Sequence, residues 1–252
     1  MQYIIPETDA KREGVIRMTD TRPRVELNRS GTAYIIRLVI QYACMALCYF
    51  AAAGHAGIPR GWMYFGIVAA AYAVMLVVFV RRSPELLNER SRERENTKPW
   101  DKVLLALYVL IGFFATHIVA GLDARYGWSR IGLLYMIPGI ILYGLSAWLG
   151  GWAMLKNKYF EATVRIQDDR EQTVVTDGPY KLVRHPGYLS ILLAMLGMPL
   201  MIGSLYMYVC AAAAAVIIVV RTALEDRALR SELKGYAAYA GEVRYRLIPL
   251  IW

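Results

Sequence analysis

The sequence predicts an all-α integral membrane protein with about six transmembrane helices, a C-terminal helical hairpin, and a loop and helix on the cytosolic side. Three observations support this class: the composition, the length of the apolar runs and the placement of the basic residues. Of the 252 residues, 57% are hydrophobic and 12% are aromatic. Such a composition is typical of a polytopic membrane protein and argues against a soluble domain.

Four apolar runs are long enough to cross a membrane. A hydrocarbon core of about 30 Å requires about 20 consecutive apolar residues in a helix. The first four predicted spans are residues 33–54, 62–80, 103–121 and 131–155.

Two shorter apolar runs follow at residues 187–202 and 205–220, and only Gly203 and Ser204 separate them. Glycine next to a small polar residue favours a tight turn. We therefore predict a helical hairpin, which brings the number of crossings to six.

The basic residues predict the orientation, because Lys and Arg beside membrane spans remain on the cytoplasmic side. Of the 29 basic residues, 25 fall on the side that holds both termini, three fall on the opposite side and one lies within the first span. Both termini are predicted to be cytoplasmic. The division that follows is a cytosolic segment at residues 1–32, a four-span region at 33–156 and a core at 157–252.

The net charge of +9 needs no nucleic-acid partner, since topology and anionic headgroups account for it. We predict contact with membrane lipids and none with nucleic acid. The three cysteines lie in apolar runs, so no disulfide framework and no metal site is predicted.

The loop at residues 156–184 interrupts the apolar pattern. Its residues 173–175 predict an extended, strand-like segment against the membrane face. Gly178 and Pro179 then turn the chain toward Tyr180.

His185 differs from the two other histidines because Pro186 follows it. Proline disfavours helical geometry in the residue before it and is itself suited to the first position of a helix. The His185 side chain is therefore predicted at a helix N-terminus, where free N–H groups and the helix dipole favour an anion. His55 and His117 lie near the outer ends of spans and are predicted to form local hydrogen bonds.

The hairpin brings polar residues together at its cytosolic end. Antiparallel pairing about the turn places Pro186 level with Arg221 and Tyr188 level with Val219. Arg221 and Glu225 are four residues apart and share a helix face, so an ordinary ion pair within the helix is one interpretation. The His185 segment opposite favours a functional site instead.

These residues form a pattern that resembles a known family. The chain carries Gly-Pro-Tyr-x-x-x-Arg-His-Pro-x-Tyr at residues 178–188, a helical hairpin, and Arg-x-x-x-Glu at 221–225. Tyr-x-x-Tyr at 236–239 and Leu-Ile-Pro at 247–249 follow. In this order the motifs resemble the isoprenylcysteine carboxyl methyltransferase family over residues 167–249. Glu242 departs from the family, which usually has a basic residue there, and Arg244 and Arg246 either reach the site or bind lipid phosphates.

The resemblance implies a membrane-embedded methyltransferase that uses S-adenosylmethionine as its cofactor. It places Arg221 at the methyl acceptor as the catalytic residue. Chemically, a carboxylate such as Glu225 suits the cofactor's ammonium, and tyrosine rings suit adenine or the sulfonium. The implied cofactor contacts are Gln167, Gln172, Thr173, Val174, Val175, Tyr180, His185, Pro186, Gly187, Tyr188 and Glu225.

Arginine at position 221 favours an anionic acceptor, because a guanidinium holds a carboxylate through two parallel hydrogen bonds. The resemblance thus implies methylation of a carboxylate on a lipophilic small molecule or a prenylated substrate. The alternatives are a phospholipid or small-amine N-methyltransferase and, more distantly, a non-catalytic transporter. The predicted spans contain no acidic residue, which argues against the transporter.

Overall fold

The computed structural model describes residues 26–90 and 96–252, and its regular structure there is helical. The predicted cytosolic segment at residues 1–32 therefore lies largely outside the described residues. The α-helices are α1 Arg29–Ala53, α2 Pro59–Arg82, α3 Pro84–Arg90, α4 Pro99–Tyr108, α5 Thr116–Tyr126, α6 Met136–Lys156, α7 Pro186–Ile202, α8 Met207–Glu232 and α9 Tyr236–Glu242.

Five helical stretches in the described residues are long and apolar enough to cross a membrane. They are Arg29–Ala53, Pro59–Arg82, Pro99–Tyr126, Leu133–Lys156 and Met207–Glu232. The sixth predicted span, α7, has 17 residues and reaches about 25 Å at the helical rise of 1.5 Å per residue. The all-α membrane fold is confirmed, with α7 at the lower limit for a spanning helix.

Helix ends follow the local sequence. At the start of α1, Asn28 Oδ1 accepts hydrogen bonds from the backbone N of Ser30 at 2.9 Å and of Gly31 at 3.1 Å. Gly54 ends α1 with a φ of 80°, which glycine adopts without strain. Gly203 ends α7 in the same way with a φ of 91°, so the predicted hairpin turn is confirmed.

The third span is not a regular α-helix. Between α4 and α5, Val109–Ala115 forms a π-helical segment of seven residues. Insertions of this kind inside α-helices are frequent at functional sites. The sequence does not reveal this segment, because a continuous apolar run reads the same in an α-helix and in a π-helix.

The helices α6 and α7 pack in close backbone contact. A Cβ on Gly139 would lie 2.8 Å from the carbonyl oxygen of Gly197, and a Cβ on Gly197 would lie 2.7 Å from that of Gly139. These two backbones touch because neither glycine has a side chain. Small residues that admit such contact are typical of helix packing in membranes.

Polar groups hold the turn end of the hairpin. The Asp123 carboxylate accepts hydrogen bonds from the hydroxyls of Ser129 at 2.6 Å and Ser204 at 2.5 Å. Arg60 donates to the carbonyl oxygens of Met201 at 3.0 Å and Leu200 at 2.7 Å. Two of the carbonyls left unpaired at the end of α7 are thereby satisfied.

The glycine contact gives a stability prediction. Gly139→Ala is expected to lower the free energy of unfolding by about 1–3 kcal/mol, because its methyl group overlaps the α7 backbone. Gly144→Ala on the same helix is the control, since a Cβ there meets nothing within 4 Å. Thermal unfolding of the purified variants in detergent measures both. Equal stability of the two variants would contradict the close contact.

Candidate functional site

A cavity of about 580 Å³ lies between the loop after α6, the helices α1–α4 and α6–α9, and the π-helical segment. Its polar end is formed by the loop, the first turn of α7 and Glu225. Its other end runs between the spans and is lined by apolar side chains, including Leu38, Met75 and Met198. All twelve residues predicted for the site line this one cavity.

His185 lies where the sequence predicted it. It is the residue before α7, with φ −125° and ψ 63°, and Pro186 is the first residue of the helix. The backbone N–H of His185 donates to the carbonyl oxygen of Arg246 at 2.9 Å, and that of Arg184 donates to Tyr245 at 2.9 Å. The C-terminal tail is thus bound to the segment that begins α7.

Asp226 forms the centre of a buried polar network that the sequence analysis did not identify. Its side chain is 0% exposed, and its carboxylate accepts hydrogen bonds from Arg184 Nε at 2.7 Å and Arg246 Nε at 2.9 Å. His185 Nε2 lies 3.4 Å from the carboxylate, and the Tyr236 hydroxyl donates to it at 3.1 Å. Arg246, for which the site and lipid phosphates were the two alternatives, thus contacts Asp226 and does not itself line the cavity. The sequence does contain a sign of this network, since Asp226 follows Glu225 directly and lies among several arginines.

Glu225 has a different environment from its neighbour Asp226. The Tyr188 hydroxyl donates a hydrogen bond of 2.6 Å to its Oε2. The Glu225 side chain is 24% exposed, and the nearest basic side-chain nitrogen recorded among the described residues is His185 Nδ1 at 3.9 Å. This carboxylate therefore remains available to a cation inside the cavity.

Arg221 does not pair with Glu225, as an intrahelical ion pair would require. Instead, its Nε and Nη2 lie 2.8 Å and 2.7 Å from Asp101 Oδ1, and Nη2 also donates to the carbonyl oxygen of Ala162 at 2.9 Å. Asp101 is fully buried in the first turn of α4. Among the Arg221 nitrogens, only Nη1 has no recorded bond to another described residue. The predicted pair of hydrogen bonds to an acceptor carboxylate is therefore reduced to one free nitrogen. The guanidinium carbon lies 5.5 Å from the centre of the Tyr188 ring.

The loop is held by its own side chains. Gln167 Nε2 donates to the carbonyl oxygen of Tyr159 at 2.7 Å, and Gln172 Oε1 accepts from the backbone N of Gln167 at 2.8 Å. Residues 172–176 have no regular secondary structure, so the predicted strand-like segment at 173–175 is not a strand.

Two tyrosines close the polar end as neutral phenols. Burial raises the pKa of Tyr180 well above its usual value, against a hydrogen bond from Asn157 that lowers it. Burial also raises the pKa of Tyr239, whose hydroxyl donates to the carbonyl oxygen of Tyr180 at 2.7 Å. Both groups stay protonated at neutral pH and act as hydrogen-bond donors.

Comparison with known proteins agrees with these motifs. Residues 134–234 match the phospholipid methyltransferase family model. Probable protein-S-isoprenylcysteine O-methyltransferases from Oryza sativa subspecies indica and japonica are each 28% identical over 138 residues, which cover 52% of this chain and 69% of each relative. The resemblance to the isoprenylcysteine carboxyl methyltransferase family is confirmed. The stretch of this chain that matches the family model includes the whole loop, the hairpin and Glu225.

A further relative carries a different description. The cobalt-zinc-cadmium resistance protein CzcN of Cupriavidus metallidurans is 31% identical over 132 residues, and the match covers 46% of this chain and 60% of the relative. The chain thus spans less than two thirds of that protein. Among the described residues, no group of three or more His, Cys, Asp or Glu side chains could hold a metal ion.

The Asp226 network gives a second stability prediction. Asp226→Asn is expected to cost about 3–5 kcal/mol of unfolding free energy, because it leaves buried Arg184 without its counter-charge. Arg230→Gln is the matched control, since Arg230 also contacts Asp226, at 3.2 Å, but its side chain is 44% exposed. Its expected cost is below about 1 kcal/mol. Thermal unfolding in detergent distinguishes the two, and equal losses would contradict the central role of the buried partners.

Proposed function

We propose that this protein is an integral membrane methyltransferase that transfers a methyl group from S-adenosylmethionine to a lipophilic acceptor. The observation that carries the proposal is Glu225, a cavity carboxylate whose strongest recorded partner is a neutral tyrosine hydroxyl. A polar pocket beside it continues into an apolar chamber between the spans. The first part suits a charged cofactor and the second a lipophilic molecule.

The residues at the polar end fit the cofactor's functional groups. The Glu225 carboxylate binds an ammonium, and Tyr188 holds that carboxylate in place through its hydroxyl. The Tyr180 and Tyr188 rings offer faces for adenine or for a cation. When bound, S-adenosylmethionine supplies a methyl group already activated by the positive sulfur. The protein's task is to align the two reactants and exclude water.

Arg221 positions the acceptor in this proposal. Asp101 and the Ala162 carbonyl fix the guanidinium, which leaves Nη1 to donate to an acceptor oxygen. A carboxylate acceptor attacks without losing a proton, so the reaction needs no general base. Methylation of a carboxylate on a lipophilic or prenylated molecule is accordingly the preferred reaction.

Phospholipid or small-amine N-methylation is the second candidate, because the matched family model is that of phospholipid methyltransferases. An amine must lose a proton to become a nucleophile. In that case the proton-accepting group of the cavity is the Tyr188–Glu225 pair, whose oxygens lie 2.6 Å apart.

We also propose that both termini and the polar end of the cavity are cytoplasmic. The N-terminal segment, the two loops and the tail predicted for that side together contain 25 of the 29 basic residues, which anionic lipid and the positive-inside rule favour on the cytoplasmic side. The cofactor would then reach its pocket directly from the cytosol.

Cofactor binding is tested by calorimetric titration of the purified protein with S-adenosylmethionine and S-adenosylhomocysteine. Glu225→Gln is expected to weaken binding by roughly 10–150-fold, because it removes a charge-assisted hydrogen bond of about 1.5–3 kcal/mol. Glu232→Gln is the control on the same helix, since Glu232 pairs with Lys98 near the surface, with side chains 41% and 28% exposed.

Absence of binding by folded wild-type protein would rule out the proposed function. Equal affinity of wild type and Glu225→Gln would retain the cofactor but remove Glu225 from its site.

The acceptor class is tested with methyl-tritiated cofactor and a lipid extract. A carboxylate acceptor gives a methyl ester, so alkaline hydrolysis is expected to release the label as volatile methanol. An N-methylated product keeps its label under alkali, and this result would favour the second candidate.

A further inference from the structure

Arg90, the last residue of α3, lines the cavity without a recorded hydrogen bond. Its Nε and Nη1 are shielded from solvent and have no hydrogen-bond partner among the residues described. A buried donor without a partner costs about 1–3 kcal/mol, and more when it is charged. Such groups call for an explanation, and an anionic ligand provides one.

The other guanidinium groups that line the cavity are already paired. Arg184 contacts Asp226 at 2.7 Å, and Arg221 contacts Asp101 at 2.7 Å. Arg165 contacts Glu161 at 2.9 Å. Within the described parts of the chain, Arg90 is therefore the cavity-lining arginine with no recorded ion pair to a carboxylate.

Two aromatic rings fix the Arg90 guanidinium. Its carbon lies 5.4 Å from the centre of the Tyr34 ring and 5.5 Å from that of the Phe160 ring. Contacts with ring faces hold the group without using its N–H donors. The planar fork remains able to bind a carboxylate or phosphate through two hydrogen bonds.

Arg90 also lies where the polar and apolar parts of the cavity meet. Phe160 packs on the first turn of α7, since a Cβ on Gly187 would lie 2.6 Å from its Cζ. Tyr34 belongs to the first span, and both rings pack against the apolar cluster of Phe79, Leu86 and Leu87. An anion at Arg90 would have apolar side chains on one side and the polar pocket on the other.

We propose that Arg90 binds the anionic group, a carboxylate or phosphate, of the lipophilic acceptor, an inference that rests on the proposed function. The lipid tail of such an amphiphile would then lie along the cluster of Phe79, Leu86 and Leu87 and between the spans. Arg221, neutralised by Asp101, contributes a hydrogen bond, while Arg90 contributes the uncompensated positive charge.

The test uses cis-parinaric acid, a fluorescent fatty acid, and its uncharged methyl ester as probes. Full-length protein is placed in nanodiscs of phosphatidylcholine, and binding of each probe is measured by fluorescence titration. Wild type is expected to bind the acid about 10–100-fold more tightly than the ester. Arg90→Gln is expected to lose this preference while it binds the ester as wild type does, which also shows that its cavity is intact.

Arg81→Gln is the matched control, because Arg81 is an exposed cation at the end of α2 and does not line the cavity. It is expected to keep the wild-type preference. Arg90→Lys is the second variant and keeps the charge but loses the planar fork, so a reduced preference is expected even if the glutamine variant does not fold.

Three results would overturn the proposal: no preference for the acid in wild type, an undiminished preference in both Arg90 variants, or an equal loss in Arg81→Gln.

Calorimetry with S-adenosylmethionine separates this proposal from the proposed function. Arg90→Gln is expected to bind the cofactor as wild type does, and a large loss would assign Arg90 to the cofactor instead. If wild type binds no cofactor, the proposed function fails, while the acid preference still reports on Arg90.

Discussion

The buried carboxylate of Asp226 is the constraint on which the polar end of this protein depends. It balances Arg184 at the start of the hairpin and Arg246 in the tail, two segments distant in sequence. Arg184 also donates to the carbonyl oxygens of Val243 and Arg244. Because charges buried in this way cannot separate without a large loss of free energy, the network fixes His185 and Tyr236, two residues that line the cavity.

Adjacent positions on α8 have separate tasks for a geometric reason. Consecutive residues on an α-helix point about 100° apart, so Glu225 and Asp226 face different surroundings. Asp226 faces the tail and is fully enclosed, whereas Glu225 faces the cavity beside Tyr188. A carboxylate whose charge is already balanced cannot also hold a cationic ligand. Of these two carboxylates, Glu225 is therefore the one that can bind a cationic ligand.

The sequence was sufficient for the long apolar helices and for twelve of the residues that line the cavity, because apolar length and ordered motifs are local properties. It could not predict the partner of Arg221. The i,i+4 spacing suggested Glu225, but Asp101 lies 120 positions away, just before an apolar run, and no local pattern joins them. The same holds for Arg90, whose lack of a partner depends on where every nearby carboxylate lies. The fold was thus more predictable than its charge pairing.

The hairpin is held at both ends, and this sets the distance between the polar and the apolar part of the cavity. Asp226 holds the end opposite the turn, while Asp123 binds Ser204 at the turn and Arg60 binds two carbonyls at the end of α7. Between these points the Gly139–Gly197 contact leaves α7 no room to move toward α6. The polar groups and the apolar chamber therefore keep a fixed separation. For the proposed acceptor, this arrangement favours a molecule that carries its polar group and its lipophilic part at a matching distance, because a preorganised cavity binds such a molecule without the cost of rearrangement.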